Sequence, residues 1–146
     1  MSKQNVETVR SVLEPFEGID VAAVDWGSEA IRVILESALT PDAELMTLKS
    51  GLASGVDDHY RGRDGFVRYF QDWFGPFSEY HIEWLDYVEA GDCVLVPSRQ
   101  WGVGVASGAP AKLELTYLCE LRDGQIARLE QYDTLEEARE VAGRRD

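Results

Sequence analysis

Basic residues are scarce: 14 lysines and arginines stand against 27 aspartates and glutamates, for a formal charge of −13. Such a surface repels phosphate backbones and anionic lipid headgroups, and no basic cluster exceeds a few residues. Neither nucleic acid nor a membrane is expected as a partner. Long apolar runs are also lacking. Met1 to Phe16 is polar and charged, without an apolar signal core, and nothing approaches the roughly 18 apolar residues of a membrane span. A cytoplasmic location is therefore expected. Histidine and cysteine number two each. His59 and His81 fall on different predicted elements and no spaced His/Cys motif exists, so no metal and no cofactor are expected. A two-residue turn at Gly108-Ala109 would set Cys119 opposite Ser98, roughly 16 Å from Cys93, which predicts buried thiols and no disulfide.

What is present is a core. The chain has 146 residues, 45% of them hydrophobic, which suits a single domain over residues 1–146. Its organising stretch is Ser78 to Asp133, four long segments rich in Val, Leu, Tyr, Trp and Thr. They are separated by Ala90-Gly91-Asp92, Ser107-Gly108-Ala109-Pro110 and Arg122-Asp123-Gly124-Gln125. These are turn chemistries that make neighbours antiparallel, and strands this long twist and curl.

Helical spacing appears before and after the meander. Val6, Val9, Leu13 and Phe16 predict a helix over Ser2 to Glu14, ended by Pro15. Asp20 to Trp26 adds a short turn, and Ser28 caps a helix carrying Ile31, Ile34, Leu35 and Ala38. Ala43 to Leu48 reads as a strand and Lys49 to Asp58 as a loop. Arg63 to Phe74 is an aromatic helix, and the capping box of Thr134 and Glu137 starts a last helix to about Ala142, with Arg144 to Asp146 frayed. The order predicts an α+β fold with helices on one face of an antiparallel sheet, closing off a small-molecule pocket.

Tyr60-Arg61-Gly62-Arg63-Asp64-Gly65 before an aromatic helix resembles the entry of SnoaL-like domains in the nuclear transport factor two-like, or ketosteroid isomerase-like, superfamily. The resemblance continues through Ala90-Gly91-Asp92-Cys93-Val94, Arg99 to Gly104 and Leu121 to Glu130, spanning roughly Trp26 to Gly143. It implies a cone of curved sheet with helices on the concave face around a central cavity. The superfamily includes cyclases, isomerases, epoxide hydrolases, dehydratases and members without catalysis, so the fold leaves activity open. Steroid isomerases place a Tyr, an Asp base and an acid where this chain resembles them at the Leu13 region, about Thr47 and Tyr117; the base is missing. Many SnoaL-like domains end their last strand in Tyr-x-Asp, where this chain has Tyr132-Asp133-Thr134.

Alternation sorts the candidates. Leu113, Leu115, Tyr117, Cys119 and Leu121 share the interior face, and Leu129, Gln131 and Asp133 share a face that the resemblance turns inward. Gln100 lines the pocket under two-residue pairing at Gly108-Ala109, and Trp101 under three-residue pairing. Tyr69 and Trp73 either stack on a ligand or pack as core. Asp133 is the candidate general base, though an Asp before a helix also stabilises the helix end; Tyr117 is the candidate donor. His59, beside Asp57 and Asp58, is a candidate proton shuttle or a solvated turn residue. Two functions are expected: acid–base catalysis as a cofactor-free isomerase, cyclase or hydrolase on a small apolar substrate, or non-catalytic binding or carriage of an apolar ligand. A homodimer is expected through the uncovered sheet face, where Trp84, Trp101, Val103 and Tyr132 are placed.

Overall fold

In the computed structural model, residues 2–47 and 55–145 are described; Leu48 of the expected strand, residues 49–54 of the expected loop, Met1 and Asp146 lie outside them. Helix α1 spans Ser2–Leu13 and passes into a 3-10 turn, Glu14–Phe16, that carries Pro15 in its first turn. A second such turn, Val21–Ala23, is capped by Asp20, whose carboxylate accepts from the Ala22 amide and also from the Tyr80 amide across the fold. Helix α2, Glu29–Ala38, starts at Ser28, whose Oγ accepts from the Ile31 amide at 3.3 Å. It buries Ile31, Leu35 and Ala38 but leaves Ile34 partly exposed.

The chain then enters strand β1, Leu39–Met46, four residues before the expected Ala43. Pro41 is tolerated within it because the pairing of β1 with the last strand is interrupted between Leu39 and Glu44, where a missing N–H costs no ladder bond. Strand β2, His59–Arg61, leads into helix α3, Gly62–Phe74.

The expected four-segment meander has a break in its first segment, giving β3, Phe77–Trp84, and β4, Val88–Ala90. Strands β5, Cys93–Gly104, β6, Pro110–Arg122, and β7, Gln125–Tyr132, follow. The sheet order is β2-β1-β7-β6-β5-β3, with β4 also on β5. It is mixed, not wholly antiparallel, because β1 runs parallel to β7. The Arg122 to Gln125 turn has positive φ at both Asp123 and Gly124, matching the right-handed strand twist as its sequence predicts.

The turn between β5 and β6 departs from expectation. It runs from Gly104 to Ala109, closed by Gly104 N–H to Ala109 O at 3.1 Å, so Gln100 pairs with Leu113 and not with Tyr117. The slip from Tyr117 to Leu113 is an even number of residues, so every side chain keeps its predicted face. Cys119 now lies opposite Val94, next to Cys93 along the ladder, yet the two thiols point to opposite faces. The absence of a disulfide thus follows from facing, not from the separation expected.

Helices α1, α2 and α3 cover one face, where Val94, Val96, Leu115 and Cys119 join the main core. The final helix α4, Leu135–Arg145, packs on the other, with Ala138 and Ala142 against Cys93, Leu95 and Leu118. Thr134 caps α4 by accepting from the Glu137 amide at 3.1 Å. Its last turn does not fray: the Arg145 guanidinium donates to both oxygens of Glu130, at 2.9 and 2.8 Å. Glu130 also takes hydrogen bonds from Arg128 and Tyr132, and Arg128 bridges to Glu44, which meets His59 at 3.0 Å. Burial alone would raise the Glu130 carboxyl, but the hydrogen bonds from Arg145, Arg128 and Tyr132 outweigh it and hold the group below its ordinary value.

A carboxyl depressed in the folded state stabilises the fold above its unfolded value and ceases to do so as pH falls through the depressed one. Arg145→Ala should therefore cost about 1–3 kcal/mol near neutral pH and shift acid unfolding to higher pH, read by urea titration across pH. Gly102 generates a second prediction. A Cβ there would stand 2.7 Å from Tyr80 Cδ2 and 2.8 Å from Glu79 O. Gly102→Ala should lower unfolding free energy by about 1–3 kcal/mol through overpacking, measured by denaturant unfolding.

Candidate functional site

Between the three helices and the sheet lies an apolar cavity of about 90 Å³. Helix α3 contributes Phe66, Tyr69, Phe70 and Phe74 because residues three and four apart share a helix face. Trp26 locks these rings in place, 4.4 Å from Phe70 and 5.4 Å from Phe74 between centroids, with its indole N–H donated to Val21 O. Leu35, Ile126 and Leu129 close the wall, and Tyr117 brings the hydroxyl of β6 to its edge.

Tyr117 belongs to a buried chain of neutral hydrogen-bonding groups. Trp73 Nε1–H donates to Tyr80 Oη at 3.2 Å, and Tyr80 O–H donates to Gln100 Oε1 at 2.6 Å. Gln100 Nε2 gives one proton to Ser98 Oγ at 3.0 Å and the other to Tyr117 Oη at 2.9 Å; Ser98 passes its own to Leu115 O. Gln131 Nε2 donates to Tyr69, and Gln131 stands opposite Tyr117 in the β6–β7 ladder. Burial pushes the Tyr69, Tyr80 and Tyr117 hydroxyls above their ordinary values, so all three stay neutral. On the far side of this chain a groove of about 330 Å³ opens between the β5–β6 loop and the turn after α3. The inner sheet face thus carries two hollows separated by a polar seam.

Of the expected residues, Tyr117, Tyr69 and Leu129 line the cavity, while Trp73 and Gln100 line the groove. Leu115 and Gln131 are buried on the same face. Trp101 does not line the pocket: it points outward, 41% exposed and stacked on His81, because Gln100 holds the inward position. Trp84 points inward, its indole N–H donated to Leu13 O, and Tyr132 packs beside α4, so neither belongs to an uncovered outer face. Asp133 is exposed and lines neither hollow, since β7 ends at Tyr132 and strand alternation no longer applies. His59 sits opposite the cavity as the partner of Glu44, while its neighbour Tyr60 is the inward residue. Tyr80 and Ser98 were missed in the sequence, although Tyr80, Ile82 and Trp84 alternate as Ser98 and Gln100 do. Among the described residues no three His, Cys, Asp or Glu side chains converge, and no helix is long and apolar enough to cross a membrane.

Known proteins supply the remaining comparison. No curated protein matches the chain. Among solved structures, TerC co-crystallised with polyporic acid superposes with a TM-score of 0.69 at 18% identity, covering 96% of this chain and 98% of its own. An NTF2-like protein of unknown function from Burkholderia pseudomallei gives 0.69 at 18% identity, over 92% of this chain and 93% of its own. A ketosteroid isomerase-like protein from Catenulispora acidiphila, in complex with trimethylamine, gives 0.63 at 15% identity, over 94% and 92%. Likeness at these identities is one of fold. The model of the SnoaL-like domain matches residues 34–129, from within α2 into β7 and so across α3 and the β3 to β6 strands, and the chain belongs to that family.

Proposed function

We propose that this chain binds or carries a compact apolar small molecule in the cavity beneath α3, without acid–base catalysis. One observation carries the reading. The cavity lining has no carboxylate and no imidazole among the described residues, and the hydroxyls that reach it, of Tyr117 and Tyr69, are neutral and accept from the amides of Gln100 and Gln131. Abstracting or delivering a proton needs a group that titrates near the working pH, and Asp133 and His59 stand elsewhere. Two relatives of the same fold were captured with polyporic acid and with trimethylamine, which supports small molecules as the class of ligand. The two buried thiols fit the cytoplasmic location expected of the chain.

Toluene, indole and related compounds should raise the melting temperature, with saturating binders adding about 3 kcal/mol at a hundred times Kd. Leu129→Phe, which fills the cavity, should abolish the effect, and Asp133→Asn should leave it intact. Turnover of any bound compound, lost in Tyr117→Phe, would restore the catalytic reading.

We further propose a homodimer through the outer sheet surface that α4 leaves open. Trp101 and His81 stack there beside the Arg99–Glu83 ion pair, with Lys112 opposite Trp101 and Glu114 opposite Arg99. Large rings amid interspersed charges suit a self-complementary two-fold contact. Light scattering at about ten micromolar should give a dimer, and Trp101→Glu a folded monomer. A monomeric parent protein would remove the dimer.

A further inference from the structure

We propose that the groove beside the β5–β6 loop is a second ligand site, built for an uncharged aromatic molecule that carries a hydrogen-bond donor, a phenol or an aniline. Its size, about 330 Å³, falls within the range of small-molecule sites, and its walls are Trp73, Pro76, Phe77, Pro110 and Leu113. No charged side chain lines it, so an ionic ligand would leave a charge without a partner. Aromatic walls favour a flat ring, which stacks on them or meets them edge-on. Room for the ring exists because Gly104, Ala106, Ala109 and Ala111 occupy the rim, where larger side chains would fill it.

Donor recognition follows from where the protons on the seam are already spent. The Trp73 indole proton goes to Tyr80, the Tyr80 proton to Gln100, and both Gln100 amide protons to Ser98 and Tyr117. Along the seam a carbonyl ligand would find no proton to accept; the Ser107 hydroxyl, whose Oγ accepts from the Ala109 amide, belongs to the loop side of the groove. An amide oxygen and a phenol oxygen each have two lone pairs, and Gln100 Oε1 and Tyr80 Oη, which both belong to groove-lining residues, use one apiece. A ligand O–H or N–H is the group that completes them. The apolar cavity presents the opposite end of the same seam, so the two sites differ in chemistry and can be filled separately.

The probe is p-cresol, compared with 4-methylanisole, its methyl ether, which has the same ring and no donor. Titration followed by NMR should move the Trp73 indole N–H and the amides from Gly104 to Leu113 saturably, with the ether binding about tenfold or more weakly. Ala111→Phe should remove the p-cresol response; Ala106→Trp, on the exposed loop, replaces it if the first variant does not fold. Leu129→Phe, which closes the apolar cavity, should leave the response unchanged, so this site and the cavity fail independently. Equal binding of the two probes, no saturable shift, shifts centred on Ile126 and Leu129, or survival of binding in a folded groove-filled variant would each overturn the proposal.

Discussion

One buried amide constrains the interior. Gln100 is 1% exposed, and its protons and its oxygen must find their partners almost wholly within the protein, at a cost of about 1–3 kcal/mol for each group left unmet. Tyr80, Ser98 and Tyr117 meet them, drawing β3, β5 and β6 into a single arrangement. Trp73 extends the same chain to α3, so the helix is held at one rotation over the sheet as well as packed on it. Gly102 makes the geometry possible by letting the edge of the Tyr80 ring approach β5 where a Cβ would stand. Apolar burial supplies most of the driving force, and the seam selects which apolar packing is adopted.

Alternation made much of this readable in advance. Period two assigns faces, and faces survive an even slip in register, which is why Tyr117 and Gln100 turned inward although their expected pairing was four residues out. The slip itself was hidden because Ser107-Gly108-Ala109-Pro110 contains an adequate two-residue turn, while the actual loop closes through backbone bonds between Gly104, Gly108 and Ala109. Parallel pairing of β1 with β7 was equally hidden, since no local pattern in either strand names a partner so distant in the chain.

The site was less legible than the fold. Asp133 and His59 were attractive as residue types, but a titratable group acquires chemistry from its surroundings, and the surroundings are set by where β7 stops and which way β2 faces. Glu130 shows the reverse. As one of many acidic residues it carried no signal, yet its burial against Arg128, Arg145 and Tyr132 makes it the carboxylate with the most specific environment described. Arg145 could be recognised as structural only once α4 was known to lie over the strand that presents Glu130.

The β1–β7 pairing also sets an order of events. Leu45 lies beside Leu129 in the finished sheet, so β1 emerges from the ribosome long before the strand that completes it exists. Until β7 is made, one edge of β1 stays open and α2 and α3 lack the Ile126 and Leu129 wall on which they close. Contacts within the β5–β6–β7 meander are local and close short loops, which favours that meander as the place where pairing starts. A chain cut short before β7 leaves that edge of β1 unpaired and the cavity side of α3 without its Ile126 and Leu129 wall, an open edge and an apolar surface that together favour aggregation.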